Sequence, residues 1–334
     1  MEKYKPDAQF KNGKINEFIQ WRDTEGNIIN ASDGCIIFVD GKYYWCGMAL
    51  RPLPYDAQGK GGQTTTVGVV MYSSEDLYHW TYERVILPCS TDPESELYAP
   101  MRFERPKIIY NDRTKKFVLW CHFVKSPGDH GTIPGSGEAG VAICDTVNGS
   151  YEWLGYTRPI DEKGMVRDST LYKDQDGSAY FIYDRDVNDD RCLHIVKLSD
   201  DYLSFTDIYQ RIDVAYRREA AAVLYQNGYY FMFTSGLTGW DTNAAKYFRA
   251  EHILGPWTDM GDPCADDGTG TTFESQSTYM LPVEGKQGRF ILMAERHNTK
   301  NFEQCSYIWL PVEFPTPETM RVSYHEAWSM EELW

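Results

Sequence analysis

The stretch Asp33-Gly-Cys-Ile-Ile-Phe-Val-Asp-Gly-Lys-Tyr-Tyr-Trp45 decides the fold. A short apolar run, a polar turn and an aromatic-rich run read as a β-hairpin. The same pattern returns four times. It runs from Glu104-Arg-Pro-Lys-Ile-Ile-Tyr to Phe117-Val-Leu-Trp, and from Asp168-Ser-Thr-Leu-Tyr to Ala179-Tyr-Phe-Ile-Tyr. It returns from Glu219-Ala-Ala-Ala-Val-Leu-Tyr to Tyr229-Tyr-Phe-Met-Phe, and from Gln276-Ser-Thr-Tyr-Met-Leu to Arg289-Phe-Ile-Leu-Met. A second half-unit follows each hairpin, as in Val67-Gly-Val-Val-Met-Tyr leading to Trp80 and Val141-Ala-Ile-Cys leading to Trp153. Each unit therefore offers four strands.

Five four-stranded units in one chain predict an all-β, five-bladed β-propeller with antiparallel blades. One blade cannot bury both faces of its sheet, so blades stack around an axis. Residues 1–334 read as one propeller with no internal boundary. The first roughly 30 residues are expected to add a strand that closes the ring. The Gly- and Pro-rich stretches Leu50–Gln63 and Lys125–Gly140 are the candidate rims of a pocket.

Composition agrees. Aromatic residues make up 15% of the 334 residues, which favours pleated sheets and offers flat surfaces to sugars. The formal charge of −16 repels phosphate backbones and anionic lipid, so nucleic acid and membrane surfaces are excluded as partners. No apolar run is long enough to span a bilayer, and the N-terminus lacks the apolar core of a signal peptide. The eight cysteines form no Cys-x-x-Cys pair, and Cys35, Cys46, Cys121, Cys144 and Cys192 lie inside apolar runs as small buried hydrophobes. A reduced, cytoplasmic protein is expected, or a secreted one if a leader has been removed. Oligomeric state is not legible.

In a propeller the innermost strand of each blade lines the axis. Each innermost strand here opens with a polar residue: Asp33, Glu104, Asp168, Glu219 or Gln276. A common register would gather four carboxylates and an amide at one mouth of the channel. Crowded carboxylates in a desolvated site shift one another's pKa, and a pair with separated pKa values is what glycosidic hydrolysis requires. Taken singly, Asp33 reads as a turn residue, and Asp168 and Glu219 as salt-bridge partners of Arg167 and Arg218. Asp174-Gln-Asp-Gly177 reads as a hairpin turn, and His122, His194 and His297 as packed or hydrogen-bonding residues without metal-ligand spacing. Gly135-Ser-Gly-Glu-Ala-Gly140 matches a dinucleotide fingerprint but precedes a strand, so it is set aside.

The chain resembles glycoside hydrolase family 43, over nearly its whole length, with the branch of exo-β-1,3-galactanases and related β-galactosidases nearest. The motifs are Phe103-Glu-Arg-Pro-Lys-Ile-Ile-Tyr-Asn111, Arg167-Asp-Ser-Thr-Leu-Tyr172, Arg218-Glu-Ala-Ala-Ala222, Thr234-Ser-Gly-Leu-Thr-Gly-Trp240, Gly255-Pro-Trp257, Ser275-Gln-Ser-Thr278 and Tyr307-Ile-Trp-Leu-Pro311. The resemblance implies an inverting, exo-acting hydrolase that releases a terminal sugar, β-D-galactose by the branch, from an oligosaccharide or galactan side chain.

It also implies roles. Glu219 matches the general acid, Asp168 the residue that tunes and orients that acid, and Asp33 the general base of the wider family. Glu104, Arg105, Gln276 and Trp240 are expected to bind the sugar. The sequence departs from the galactanase branch in two places. Ala31-Ser-Asp-Gly-Cys35 stands where the branch reads His-Gly-Gly-Gly without a carboxylate and relies on a glutamine matching Gln276 to assist the water. Glu295-Arg-His297 stands where the branch reads Asp-Arg-Trp. No redox or nucleotide cofactor is implied and no metal ligand set is diagnostic, although parts of the family carry a calcium ion on the propeller axis. The rival readings are an α-L-arabinofuranosidase or β-xylosidase on the same fold, and a non-catalytic carbohydrate-binding propeller.

Overall fold

The computed structural model describes residues 7–52, 64–98, 102–124, 137–161, 163–188, 190–264, 266–298, 301 and 304–334. Its first strand, β1 (Phe10–Lys11), precedes five sheets of four consecutive antiparallel strands. Blade I is β2 (Ser32–Val39), β3 (Lys42–Pro52), β4 (Thr64–Ser74) and β5 (Thr81–Pro88). Blade II is β6 (Arg102–Asn111), β7 (Lys116–Val124), β8 (Glu138–Cys144) and β9 (Glu152–Thr157). Blade III is β10 (Met165–Lys173), β11 (Ala179–Val187), β12 (Asp190–Leu198) and β13 (Phe205–Tyr216). Blade IV is β14 (Arg218–Gln226), β15 (Tyr229–Gly236), β16 (Lys246–Ala250) and β17 (Thr258–Asp259). Blade V is β18 (Gln276–Pro282), β19 (Phe290–Arg296), β20 (Ser306–Thr316) and β21 (Thr319–Val322), and β22 (Ala327–Trp328) follows it. The five-bladed propeller expected from the sequence is the observed fold.

The hairpins form for local reasons. Two-residue turns join β2 to β3 through Asp40-Gly41 and β14 to β15 through Asn227-Gly228, all four residues at positive φ. That is the primed turn whose twist matches paired strands, and Asp-Gly and Asn-Gly adopt it most readily. The Asp174–Gly177 segment is a turn closed by Gly177 N–H to the Asp174 carbonyl at 3.0 Å. Between neighbouring blades, alternate apolar side chains interdigitate. One such cluster packs Trp120, Phe181 and Tyr183 of blades II and III, all fully buried. All eight cysteines are free; Cys35, Cys46, Cys121 and Cys192 are buried in strands as expected, whereas Cys144, expected with them, is only partly buried because it ends β8.

The ring closes differently from the sequence expectation. Among the described residues, the N-terminal segment adds no strand to any blade. Instead β1 pairs antiparallel with β22 outside the sheets, Phe10 opposite Trp328. The amide of Asn12 donates to the carbonyls of Trp309 and His325, each at 2.9 Å, and accepts from the Trp309 N–H at 2.9 Å. Phe10, Trp45, Trp80, Trp309 and Trp328 form one buried cluster under this strap, with Trp45 and Trp309 ring centroids 5.0 Å apart. Each blade already has four strands of its own, so the strap works through aromatic burial across blades I and V rather than through a shared ladder. The segments expected to form rims, Leu50–Gln63 and Lys125–Gly140, fall largely outside the described residues. Their described ends belong to β3 and, apart from Gly137, to β8.

Candidate active site

All seven residues singled out in the sequence, Asp33, Glu104, Arg105, Asp168, Glu219, Trp240 and Gln276, line one cavity of about 360 Å³. They do not share one register. In β2, β6 and β14 a bulge follows Ser32, Glu104 and Glu219 respectively, and the next residues, Asp33, Arg105 and Ala220, have φ of 59°, 54° and 53°. Asp33 therefore occupies the position of Arg105 in blade II, while Glu104 and Glu219 align with Ser32. Asp168 lies inside the β10 bulge between Val166 and Ser169. The extra residue of a bulge re-aims side chains, so the acids converge on the cavity from different registers. Left-handed backbone at a non-glycine residue costs on the order of 1–3 kcal/mol and persists only where the surroundings enforce it. Gly34, beside Asp33, has no room for a side chain, because a Cβ there would overlap the Cys46 carbonyl oxygen.

Arg105 sits at the centre. Its buried guanidinium lies 2.9 Å from Asp168 and 3.4 Å from Asp33, and it donates to Gln276 Oε1 at 2.5 Å and to the Ser277 carbonyl at 2.6 Å. Gln276 Nε2 donates to Glu219 Oε1 at 3.1 Å and to Ser235 Oγ at 2.8 Å. One arginine and one glutamine thus tie together the three carboxylates. Glu104 is held by Arg102 at 3.3 Å and His122 at 3.1 Å. On the far wall Arg167 pairs with Asp186 at 2.9 Å, and Arg191 with the fully buried Asp184. Trp240 closes one side and meets His297 edge-on, ring centroids 4.9 Å apart.

These surroundings separate the proton affinities of the carboxyls. Burial alone would raise the Asp33 carboxyl, but Arg105, His297 and Lys107 outweigh it and bring it down to about 2. Glu219 moves the other way. Burial is the largest cause, and the negative charges of Asp168 and Asp184 add to it, so its pKa lies well above the ordinary carboxylate range despite Arg105 and Arg191.

Sequence reasoning left residues behind the cavity lining without a role. Glu295 is the most consequential: it is buried, accepts the Asp33 N–H and the Ser32 hydroxyl at 2.6 Å each, and is pushed up to about 7 by burial and by Asp33. An acid ending the apolar run Phe290-Ile-Leu-Met-Ala was the available signal. Among the described residues, two side-chain sets have metal-ligand proximity, Asp33–Glu295–His297 and Glu104–His122–Asp168. In each, carboxylates already have an arginine partner, Arg105 or Arg102, which an incoming cation would have to displace.

The sequence profile of the glycosyl hydrolases family 43 matches residues 28–265. Among solved structures, a family 43 β-1,3-galactosidase is 31% identical with a TM-score of 0.85, covering 98% of this chain and 64% of its own. A second, solved with galactodeoxynojirimycin, is 34% identical with a TM-score of 0.84, covering 96% of this chain and 100% of its own. An exo-β-1,3-galactanase from Clostridium thermocellum is 29% identical with a TM-score of 0.77, covering 96% of this chain and 66% of its own. This chain thus spans just under two thirds of the length of two of these proteins and all of the other. No curated protein sequence matches significantly. A profile matched over most of the chain, and two relatives above 30% identity aligned along almost all of it, carry one conclusion: the chain belongs to glycoside hydrolase family 43.

Proposed function

We propose that this protein is an inverting, exo-acting β-galactosidase that removes terminal β-D-galactose from oligosaccharides or galactan side chains. The observation that carries this reading is the opposite displacement of two carboxyls in one cavity, Asp33 down to about 2 and Glu219 well above the usual range. The first favours the carboxylate and the second holds its proton more tightly than an ordinary carboxyl, the division of labour that glycosidic cleavage needs. Glu219 protonates the leaving oxygen. Asp33 takes a proton from the water that attacks the anomeric carbon from the opposite face, so configuration inverts.

Asp168 supports the acid by placing a negative charge near it. Gln276 holds Glu219 in place, and its own carbonyl already accepts from a cation, which makes it a poor proton acceptor. Glu104, Arg105 and Trp240 offer the carboxylate, guanidinium and ring face with which a sugar is oriented. The reaction needs two carboxyl groups and water, and no redox or nucleotide cofactor. The galactose assignment rests on the related β-1,3-galactosidases and galactanase. It is tested with nitrophenyl glycosides: the β-D-galactopyranoside should be cleaved, and the α-L-arabinofuranoside and β-D-xylopyranoside should not. Preference for either pentoside would replace this reading with the arabinofuranosidase or xylosidase one, and no cleavage of any glycoside would leave a sugar-binding propeller.

A further inference from the structure

We propose that Glu295 is the positioning residue of the base, a carboxylate of blade V that folds Asp33 of blade I into the conformation from which it reaches the water. The proposal rests on the reading of Asp33 as general base. Three observations support it. Both Glu295 oxygens are committed to the bulge that carries Asp33: Oε1 accepts the Asp33 N–H and Oε2 the Ser32 hydroxyl, each at 2.6 Å. The residue so held has φ of 59°, a conformation that a non-glycine residue keeps only when its surroundings impose it. The clamp is completed on the other side by Lys107, whose ammonium donates to the Asp33 carbonyl at 2.7 Å. The Asp33 backbone is thereby gripped from blades II and V at once, and the residue so held lines the cavity.

Burial makes this arrangement expensive unless it is used. Glu295 is 2% exposed and Asp33 4% exposed, and two carboxylates so close together repel in a desolvated site. An apolar residue would close blade V against blade I without that repulsion. The alternation along β19 shows the division of labour: Glu295 turns to the base, while Arg296 turns away to the carbonyls of Lys14 and Phe273.

The test compares Glu295→Met, which keeps the volume and loses both acceptors, with Glu295→Gln, whose amide oxygen still accepts the Asp33 N–H and whose amide NH₂ still reaches Ser32. Each is made alone and with Asp33→Asn, and assayed on nitrophenyl β-D-galactopyranoside alongside thermal unfolding. Glu295→Met should lower kcat by about 10²-fold, a large part of what a general base contributes, with KM changed by less than about threefold. Glu295→Gln should lose far less. In the Asp33→Asn background Glu295→Met should cost nothing further, because two residues acting through one group are not additive. Should Glu295→Met not fold, Glu295→Asp, one methylene short of the Asp33 N–H, makes the same comparison. Full activity of the Met or Asp variant, equal losses in Met and Gln variants that track Tm, or losses that multiply with Asp33→Asn would each overturn the proposal. Failure of the base reading shows separately, as an active Asp33→Asn single variant.

Discussion

Gln276 donates its amide N–H to Glu219 at 3.1 Å while its carbonyl oxygen accepts from Arg105 at 2.5 Å. The glutamine is a bridge between a carboxyl with raised proton affinity and the guanidinium that also faces Asp33 and Asp168. Both of its ends are in use, as the proposed reading requires of a spacer that holds Glu219. Under the proposed reading this favours Asp33 over Gln276 as the group that takes the proton of the water.

Glu219→Gln should lower turnover roughly 10²–10⁴-fold on galactosides with poor leaving groups, the usual worth of general acid catalysis. The loss should be much smaller on an activated aryl galactoside, whose leaving group departs without a proton. Parallel assays on galactobiose and a dinitrophenyl galactoside read the difference. Equal losses on both would remove Glu219 from the acid role.

Asp33→Asn should lose about 10³-fold or more on both kinds of substrate, since no leaving group replaces a missing base. Gln276→Ala should lose less, having removed only the tie between Glu219 and Arg105. Proton NMR of the first-formed sugar should show α-galactose from a β-galactoside. An active Asp33→Asn enzyme beside a dead Gln276→Ala enzyme would move the water-activating role to the glutamine.

The pH profile of kcat/KM should fall on its alkaline side. Asp33, at about 2, stays ionised across any practical assay range, so no acidic limb belongs to it. Activity should fall as pH rises through the elevated pKa of Glu219, where the acid loses its proton. The negative charge of Asp168 is one cause of that elevation. Asp168→Asn should therefore move the alkaline limb to lower pH. A limb that stays in place or moves upward would show that Asp168 does not tune the acid.

The strap makes a prediction about stability rather than chemistry. Asn12→Leu leaves the buried N–H of Trp309 without its side-chain partner, while the Trp309 carbonyl keeps the Trp328 indole N–H at 2.8 Å. Unpaired buried polar groups cost about 1–3 kcal/mol each. Urea unfolding should show a loss of that order, with kcat unchanged because Asn12 is remote from the cavity lining. A variant as stable as the native protein would mean that ring closure does not depend on the strap.

What the sequence determined by itself was local. Apolar and aromatic alternation gave the strands, Asp40-Gly41 and Asn227-Gly228 gave tight hairpins, and fivefold recurrence gave the blade number. The polar residue opening each inner strand already pointed to a shared cavity. Tertiary structure decided the rest. Bulges set Asp33 one position away from the register of Glu104 and Glu219, and a bulge depends on the partner strand as well as on the residue. The strap depended on Phe10 meeting Trp328 from the opposite end of the chain. Above all, proton affinity is not a property of a residue type. Asp33 is lowered by Arg105 and His297, Glu219 is raised by burial and Asp168, and the partner that grips the Asp33 backbone, Glu295, lies 262 residues away. Charges act through distance and solvent exclusion, and only the folded ring brings these together.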